Sequence, residues 1–286
     1  MPDMPTVSVI IPTRDRALFV TRAIESVLNQ SRLPEEIIVI DDGSTDGTSG
    51  ILAREFPLAK VLQSDGRGVS AARNLGIQYA EGDWIALLDS DDTWHGNKLK
   101  RQLLALEENP AYRVCHTNEI WIRDGVRVNP MKKHQKRGGF IFRDCLPRCA
   151  MSPSSTLIHR EIFERVGMFD ENLPACEDYD LWLRISARYP VLFINKELVT
   201  KYGGHEDQLS QKYPAMDRFR IRSLARLLDQ VDLDPDDRTA AIETLLGKIR
   251  IYLNGAEKHG NNNHVTSFRK LQARYAESIF RNVCNE

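Results

Sequence analysis

The chain has 286 residues, with 39 basic and 40 acidic side chains and a formal net charge of −1. This balance argues against a general nucleic-acid-binding protein, whose binding domain is normally strongly basic. The five cysteines are odd in number and lack C-x-x-C spacing, which favours reduced thiols over disulfides or a zinc site. Because no long apolar run and no N-terminal signal are present, we predict a cytoplasmic protein, and peripheral contact with the inner face of the membrane stays open.

The N-terminal part of the sequence alternates between β-branched runs and helical patterns. The runs 7–11 and 37–40 predict buried parallel strands, and the spacing of Val20, Ile24 and Val27 between them predicts a crossover helix. A strand at 60–62, a helix at 70–80 and a strand at 84–88 continue the alternation. The first ninety or so residues are therefore predicted to form half of a doubly wound α/β domain.

The rest of the sequence predicts a mixed sheet followed by helices. The predicted elements are a helix at 98–108, a hairpin about Asp124 and Gly125, a strand at 156–158, helices at 161–166 and 179–188, and a strand at 191–194. From Pro214 onward only helical periodicity remains, with Asp234 and Pro235 as an N-cap and first-turn pair. We predict a catalytic domain over residues 1–212 and an all-helical extension over residues 213–286.

Acidic residues follow two of the predicted strands. Asp89, Ser90 and Asp91 come directly after the run 84–88, and Asp41 follows the run 37–40. Ligands bind beyond the carboxyl ends of strands in open α/β sheets, and Mg²⁺ or Mn²⁺ prefers oxygen ligands, so the first motif predicts a metal-bound nucleotide diphosphate. Asp41 is suited to accept hydrogen bonds from a base or ribose. The alternative for the first motif is an acidic turn that only ends the strand, and the alternative for the segment at Asp41 is a turn in which Asp46 or Thr48 caps the next helix.

The segment after the first strand argues against three other classes of protein. A phosphoaspartate receiver has its acidic pair there, whereas this chain has Pro12, Thr13 and Arg14. A dinucleotide oxidoreductase or a sugar nucleotidyltransferase has a glycine-rich loop at that position, and residues 11–16 include no glycine.

Five blocks of sequence, in order, resemble family 2 glycosyltransferases with the GT-A fold. They are SVIIPT at 8–13, IDDGSTDGT at 40–48, AARNLG at 71–76, LDSDD at 88–92 and EDYDLWLR at 177–184. The resemblance covers about residues 6–210. It implies a GT-A type, doubly wound mixed sheet and an inverting transferase that uses a nucleotide-diphospho-sugar, most often a UDP-sugar, with Mn²⁺ or Mg²⁺.

The resemblance also implies roles for single residues. Asp89 and Asp91 form the D-x-D motif around Ser90, and Asp91 is the direct metal ligand. Asp178 stands at the position of the general base, which removes the proton of the acceptor hydroxyl. Glu177 and Asp178 also form an acidic pair that would stabilise the N-terminus of the next helix, and the two roles are compatible. The other implied positions are nucleotide contacts at Pro12, Thr13, Arg14, Asp41 and Arg73 and a metal contact at His205. A purely structural role is the alternative for Arg73 and for His205.

We therefore predict the transfer of a single sugar to a glycan or lipid-linked saccharide in the synthesis of a cell-surface polysaccharide or glycoconjugate. Processive synthases of the family carry a Q-x-x-R-W block and flanking transmembrane helices, and the sequence has neither. The alternative is a non-catalytic sugar-nucleotide-binding or scaffold protein that acts through its helical tail. Intact Asp89, Asp91 and Asp178 favour the enzyme.

Two basic regions suggest further partners. Residues 123–148 include eight basic and two acidic side chains, and Gly138 and Gly139 add backbone freedom. We hypothesise that this segment is a mobile loop that binds an anionic acceptor. An ordinary solvated loop is the alternative. The apolar faces of the C-terminal helices fit a homodimer contact, and their basic residues fit an anionic membrane surface.

Overall fold

The N-terminal half of the fold is a parallel β/α unit. The structure, a computed structural model, describes residues 5–129, 131, 134–204, 212–260 and 263–283, the last six by backbone alone. The elements of this half are β1 (Val7–Thr13), α1 (Ala17–Leu28), β2 (Glu36–Asp41), α2 (Thr48–Glu55), β3 (Lys60–Gln63), α3 (Val69–Tyr79) and β4 (Trp84–Leu87). The four strands are parallel in the order β3-β2-β1-β4, so their carboxyl ends meet at one edge. The predicted half-domain is confirmed.

The second half adds antiparallel strands to the same sheet. Its elements are β5 (Thr93–Trp94), α4 (Lys98–Glu108), β6 (Val114–Arg123), β7 (Val126–Val128), α5 (Phe142–Cys145), β8 (Thr156–His159), α6 (Glu161–Val166), α7 (Glu177–Ser186) and β9 (Leu192–Gly203). The described strands form one sheet of nine in the order β3-β2-β1-β4-β8-β6-β9-β5, with β7 paired to β6. β8 is antiparallel to β4 and β6, whereas β6 and β9 are parallel, so the predicted mixed sheet is confirmed.

The hairpin between β6 and β7 follows from its two turn residues. Arg123 pairs with Val126 across the turn. Asp124 and Gly125 both have positive φ angles, 48° and 77°. A two-residue turn with this backbone matches the right-handed twist of the flanking strands, and Asp-Gly tolerates it well. The sequence therefore specified this hairpin locally.

Strand β9 is longer than the sequence predicted. The prediction ended at Ile194, whereas the strand continues to Gly203. The exposed residues Lys196 and Glu197 interrupt its apolar pattern, and the register with β6 shifts around Asn118, where a bulge absorbs the irregularity. The added segment also pairs with β5, which the sequence analysis did not predict.

The C-terminal part is helical, as predicted. It comprises α8 (Asp217–Gln230), α9 (Pro235–Lys258) and α10 (Val265–Val283). The Asp234 side chain accepts a hydrogen bond from the N–H of Asp237 at 2.9 Å, and Pro235 occupies the first turn, so α9 begins at the predicted cap. The fold class, an α/β mixed sheet with a helical C-terminal extension, is confirmed.

The apolar core consists of two clusters, one on each face of the sheet. The strands alternate between them, and in β1 the side chains of Val9 and Ile11 join one cluster while Ile10 joins the other. Helices α1, α2 and α4 cover the first face, and α3, α5, α6, α7 and the three C-terminal helices cover the second. The helical extension thus shares a core with the sheet, and the boundary at 212/213 stays a prediction.

Candidate active site

A cleft of about 1500 Å³ lies beyond the carboxyl ends of β1 and β4. The loops that follow these strands line it, together with the N-terminus of α7. The predicted site residues that it brings together are Pro12, Thr13, Arg14, Arg73, Asp89, Ser90, Asp91 and Asp178. Asp41 does not line the cleft, and His205 lies outside the described residues.

Basic side chains contact two carboxylates of the turn after β4. Oδ2 of Asp91 lies 2.6 Å from Nη1 of Arg16, and Oδ2 of Asp92 lies 3.1 Å from Nζ of Lys201. Burial of the ammonium opposes its charge, but Asp92 and Asp89 hold the pKa of Lys201 well above its usual range. Two cations that the sequence analysis had not assigned therefore stand beside the predicted metal ligands.

A buried arginine joins the two acidic motifs. Arg73 is 3% exposed, and it donates to Oδ1 of Asp89 at 2.6 Å and to Oε1 of Glu177 at 2.7 Å. Burial opposes the charge of Asp89, but the guanidinium holds the pKa of Asp89 below its usual range. The bridge fixes the end of β4 relative to the first turn of α7. Arg73 therefore makes the structural ion pair that the sequence left open, and its contact with a nucleotide stays a prediction.

The predicted base, Asp178, lies in the first turn of α7. Cys176 has a left-handed φ of 63°, and this bend in the chain lets the helix begin at Glu177. Oδ1 of Asp178 accepts a hydrogen bond from the N–H of Tyr179 at 2.6 Å, and Oδ2 accepts one from the thiol of Cys149 at 3.0 Å. A carboxylate in a first turn also interacts favourably with the helix dipole, so a helix-stabilising role and a catalytic role are compatible.

Two buried hydroxyl groups of cleft residues have no hydrogen-bond partner among the described residues. They are Oγ1 of Thr13 and Oγ of Ser70, and both residues are buried. A buried polar group without a partner costs about 1–3 kcal/mol. A polar ligand in the cleft would supply the missing partners, which agrees with the nucleotide contact predicted at Thr13.

The acidic pair after β2 shapes the neighbouring loops. Asp41 is fully buried and accepts hydrogen bonds from the N–H of Ser44 at 2.9 Å and from the hydroxyl of Ser49. Asp42 lines the cleft and accepts a hydrogen bond from the N–H of Arg67 at 3.0 Å. The nucleoside contact of Asp41 stays a prediction.

Several residues of the basic segment 123–148 are engaged within the fold. The ion pairs are Arg127 with Glu197 at 2.7 Å, Lys136 with Glu119 at 2.9 Å and Arg143 with Asp237 at 2.6 Å. Gly139 is bridged to Val191 by two backbone hydrogen bonds of 2.8 and 2.9 Å, which opposes the predicted hinge. Lys132 and Lys133 lie outside the described residues. An anionic acceptor stays a prediction. It is supported by Lys136 and Arg148, which line the cleft.

The carboxylates suit a cation that is shared with a diphosphate. In the described part of the chain, no group of three His, Cys, Asp or Glu side chains is arranged to hold a metal. Asp91 lines the cleft with 14% of its side chain exposed. Mg²⁺ usually binds through one or two carboxylates and completes its shell with substrate phosphates and water. The donor set at Asp89 and Asp91 therefore fits Mn²⁺ or Mg²⁺ bound together with a nucleotide diphosphate.

The sequence of this cleft-forming region matches a known family. Residues 8–167, more than half of the chain, match the family model described as glycosyl transferase family 2. The chain belongs to this family. An uncharacterized glycosyltransferase of Rickettsia bellii is 34% identical over 194 residues, which are 67% of this chain but only 28% of that protein. The Escherichia coli glucosyltransferase WfgD is 29% identical over 262 residues, which cover 88% of this chain and 94% of WfgD.

A solved structure shares the fold of this family member. The S. aureus TarS fragment 1–349 in complex with UDP-GlcNAc superposes with a TM-score of 0.64 at 18% sequence identity. The match covers 96% of this chain and 92% of the TarS chain. Such a likeness agrees with the predicted GT-A fold. None of the helices in the described ranges is both long enough and apolar enough to span a membrane.

Arg16, Ser70, Cys149 and Lys201 are among the cleft residues to which the sequence assigned no role. Arg16 lies two residues after the predicted 12–14 contact segment, and Ser70 lies in the first turn of the helix that carries Arg73, so proximity in sequence was a usable signal. Cys149 and Lys201 carried no local signal. Their positions depend on the path of the chain around β8 and on the pairing of β9 with β6.

Proposed function

We propose that the protein is an inverting, metal-dependent glycosyltransferase that adds a single sugar from a UDP-sugar to a glycan or lipid-linked saccharide, in cell-surface polysaccharide or glycoconjugate synthesis. Membership in glycosyl transferase family 2 supports the reaction class. The observation that carries the proposal is the shared cleft of Asp89, Asp91 and Asp178. Transfer requires a diphosphate site and a base that act on the same sugar, and this cleft holds residues suited to both tasks.

The relatives support the substrate classes. The TarS fragment was solved with UDP-GlcNAc. The full name of WfgD gives UDP-Glc as its donor and α-D-GlcNAc-diphosphoundecaprenol as its acceptor. We infer a UDP-sugar donor and a lipid-linked saccharide or glycan acceptor for this chain.

The donor would lie against the loops after β1 and β4. The hydroxyl groups of Thr13 and Ser70 would gain hydrogen-bond partners on the nucleotide, and Asp89 and Asp91 would hold Mn²⁺ or Mg²⁺. When it is bound, the metal neutralises negative charge on the leaving diphosphate. Lys201 adds a fixed positive charge beside the same turn, where it opposes repulsion between the carboxylates and the phosphates.

Asp178 would accept the proton of the acceptor hydroxyl. As that oxygen forms its bond to the anomeric carbon, the bond from this carbon to the diphosphate oxygen breaks on the opposite face, so the configuration inverts. The proton ends on Asp178, and the electron pair of the broken bond leaves with the diphosphate. A general base of this kind contributes about 10²–10⁴-fold to the rate.

The test is a donor and acceptor screen. Purified protein with Mn²⁺ or Mg²⁺ is mixed with nucleotide sugars and a lipid-linked diphosphate sugar, and released nucleoside diphosphate is measured. We expect release with a UDP-sugar, loss of metal-dependent UDP binding in Asp91→Asn, and a rate about 10²–10⁴-fold lower with UDP binding retained in Asp178→Asn. The control, Asp232→Asn, removes an exposed carboxylate outside the cleft and should match the wild type. Absence of metal-dependent nucleotide binding would overturn the proposal in favour of a scaffold protein that acts through its helical tail without a bound nucleotide.

A further inference from the structure

A cysteine thiol contacts the carboxylate of Asp178. Sγ of Cys149 lies 3.0 Å from Oδ2 of Asp178 and 2.9 Å from the carbonyl oxygen of Met151. Cys149 precedes β8, lines the cleft and is only partly buried as a residue. The contact therefore joins two segments that are 29 residues apart in the chain.

The protonation state of Cys149 decides what this contact can do. Burial and the neighbouring Asp178 raise the pKa of the Cys149 thiol well above its usual range, and Lys136 only partly offsets them. The sulfur therefore keeps its one proton, and two acceptors compete for it. A charged carboxylate is a stronger acceptor than a neutral carbonyl, so the proton lies toward Asp178.

With the thiol, both oxygens of the Asp178 carboxylate accept a hydrogen bond. The N–H of Tyr179 donates to Oδ1 at 2.6 Å, and the thiol of Cys149 donates to Oδ2 from a different segment. Two donors on two oxygens fix the plane of the carboxylate, and each oxygen keeps a second lone pair. A thiol is a weak donor, so its role here is to orient the carboxylate of Asp178.

We propose that Cys149 is a positioning residue, whose thiol orients the Asp178 carboxylate so that a free lone pair meets the acceptor hydroxyl. The inference rests on the proposed function, because positioning matters only if Asp178 is the base. The hydrogen bond itself does not depend on that role, which allows two separate measurements.

The first measurement is steady-state kinetics of transfer. Cys149→Ala removes the donor, and we expect kcat to fall by about tenfold with the KM for the UDP-sugar unchanged, since a misoriented base slows only the proton transfer. Cys149→Ser keeps a donor and should retain kcat to within about threefold. The control, Cys145→Ala, removes a buried thiol outside the cleft. A wild-type kcat in Cys149→Ala, or an equal loss in Cys149→Ser, would overturn the proposal.

The second measurement is the rate of alkylation of Cys149 by iodoacetamide at neutral pH, followed by peptide mass spectrometry. Asp178→Asn removes the negative charge that keeps the thiol protonated, so we expect Cys149 to react about tenfold faster or more. Cys145 in the same sample is the internal reference. An unchanged rate would refute the hydrogen bond even if Asp178→Asn abolished transfer, which would leave the proposed function intact. Faster alkylation with full transfer activity in Asp178→Asn would instead refute Asp178 as the base, and the positioning role with it.

Discussion

At the scale of single residues, Glu119 shows how this cleft accommodates a buried charge. The side chain accepts hydrogen bonds from Nζ of Lys136 at 2.9 Å and from Nε1 of Trp121 at 2.8 Å, and Ser152 adds a third. Burial opposes ionisation, but Lys136 and the other donors lower the pKa of Glu119 from 4.5 to about 2. The carboxylate is therefore charged in the folded protein at any pH where the protein works.

This depressed pKa predicts a pH-dependent contribution to stability. The folded-state pKa is below the unfolded one, so the stabilisation by Glu119 is fully present above about pH 4.5 and is lost as the pH falls toward about 2. We expect Glu119→Gln to lower the free energy of unfolding by roughly 3 kcal/mol at neutral pH and by progressively less in acid. Urea unfolding over a pH series measures this difference.

The control for this prediction is Glu108→Gln, which changes an exposed carboxylate at the end of α4. Because the side chain is exposed, this substitution should change the free energy of unfolding by less than about 1 kcal/mol. If the effect of Glu119→Gln stayed constant from neutral pH to pH 3, the charge of Glu119 would not be the cause.

At the scale of elements, α3 lies unusually close to the sheet because Gly76 has no side chain. A Cβ at this position would lie 2.6 Å from Cγ2 of Ile10 and 2.7 Å from Cδ1 of Ile40, and both isoleucines are fully buried. Branched core side chains cannot move aside without disturbing their neighbours. The close packing of α3 places the start of the helix, with Ser70 and Arg73, beside the strand ends.

Gly76→Ala should therefore destabilise the fold through steric overlap. We expect a loss of about 1–3 kcal/mol in the free energy of unfolding, measured by urea denaturation. Gly50→Ala is the matched control, since Gly50 also lies inside a helix and a Cβ there meets nothing within 4 Å. That substitution should be neutral or stabilise by up to about 1 kcal/mol. Equal midpoints for the two variants would contradict the packing argument.

The Arg73 bridge leads to a second prediction about elements. Arg73→Met would leave Asp89 and Glu177 without their shared cation, and the cost of breaking a buried ion pair from one side is about 3–5 kcal/mol. Burial and Asp178 already raise the pKa of Glu177, so this carboxylate depends on the guanidinium for its charge. Chemical unfolding measures the loss.

Arg54→Met is a control for removing an arginine without breaking a buried pair. Its ion pair with Glu55 is exposed, with 69% and 43% of the two side chains accessible, so a change under about 1 kcal/mol is expected. Similar losses in the Arg73 and Arg54 variants would show that the bridge does not join the two elements energetically.

At the scale of the whole molecule, the helical extension and the sheet form one core. Ile10 of β1, Trp182 of α7, Ile221 of α8 and Leu245 of α9 belong to the same buried cluster. The ammonium of Lys248 also donates to the carbonyl oxygen of Pro147 at 3.0 Å. We therefore expect residues on both sides of the predicted 212/213 boundary to unfold together.

Leu245→Ala tests this coupling. Leu245 is fully buried, so the substitution should cost about 2–5 kcal/mol. All four tryptophans precede residue 213, so their fluorescence reports on the sheet-containing part, whereas circular dichroism at helical wavelengths reports on every helix. We expect the midpoints from both signals to fall together.

The control for the coupling test is Ile251→Ala, an exposed position on the same helix, which should leave both midpoints near those of the wild type. If Leu245→Ala lowered the unfolding midpoint measured by circular dichroism but not the midpoint measured by fluorescence, the extension would unfold by itself.

Assembly and membrane contact stay predictions at this scale. Two of the basic residues between positions 248 and 281 contact acidic residues of the same chain: Arg274 lies 2.7 Å from Asp229, and Lys248 lies 3.2 Å from Asp217. These pairs reduce the charge that the helices present to an anionic membrane. A homodimer through the same helices is a separate prediction, which sedimentation measurements would test.

The local sequence specifies the features that depend on neighbouring residues. The β-branched runs determined β1 and β2, Asp124 and Gly125 determined a turn, and the carboxylates of Asp89 and Asp91 follow β4 because an apolar strand ends there. Local propensity and periodicity act over a few residues, so a single sequence reveals them.

Contacts between residues that are distant in the sequence follow from the three-dimensional packing of the elements. Arg73 contacts Glu177 across 104 positions, and Cys149 reaches Asp178. Lys201 contacts Asp92 in the turn after β4 because β9 extends along β6. Asp41 accepts a hydrogen bond from Ser49, which follows it closely in the chain. Such contacts depend on how the strands and helices pack in three dimensions, and no local pattern encodes that packing.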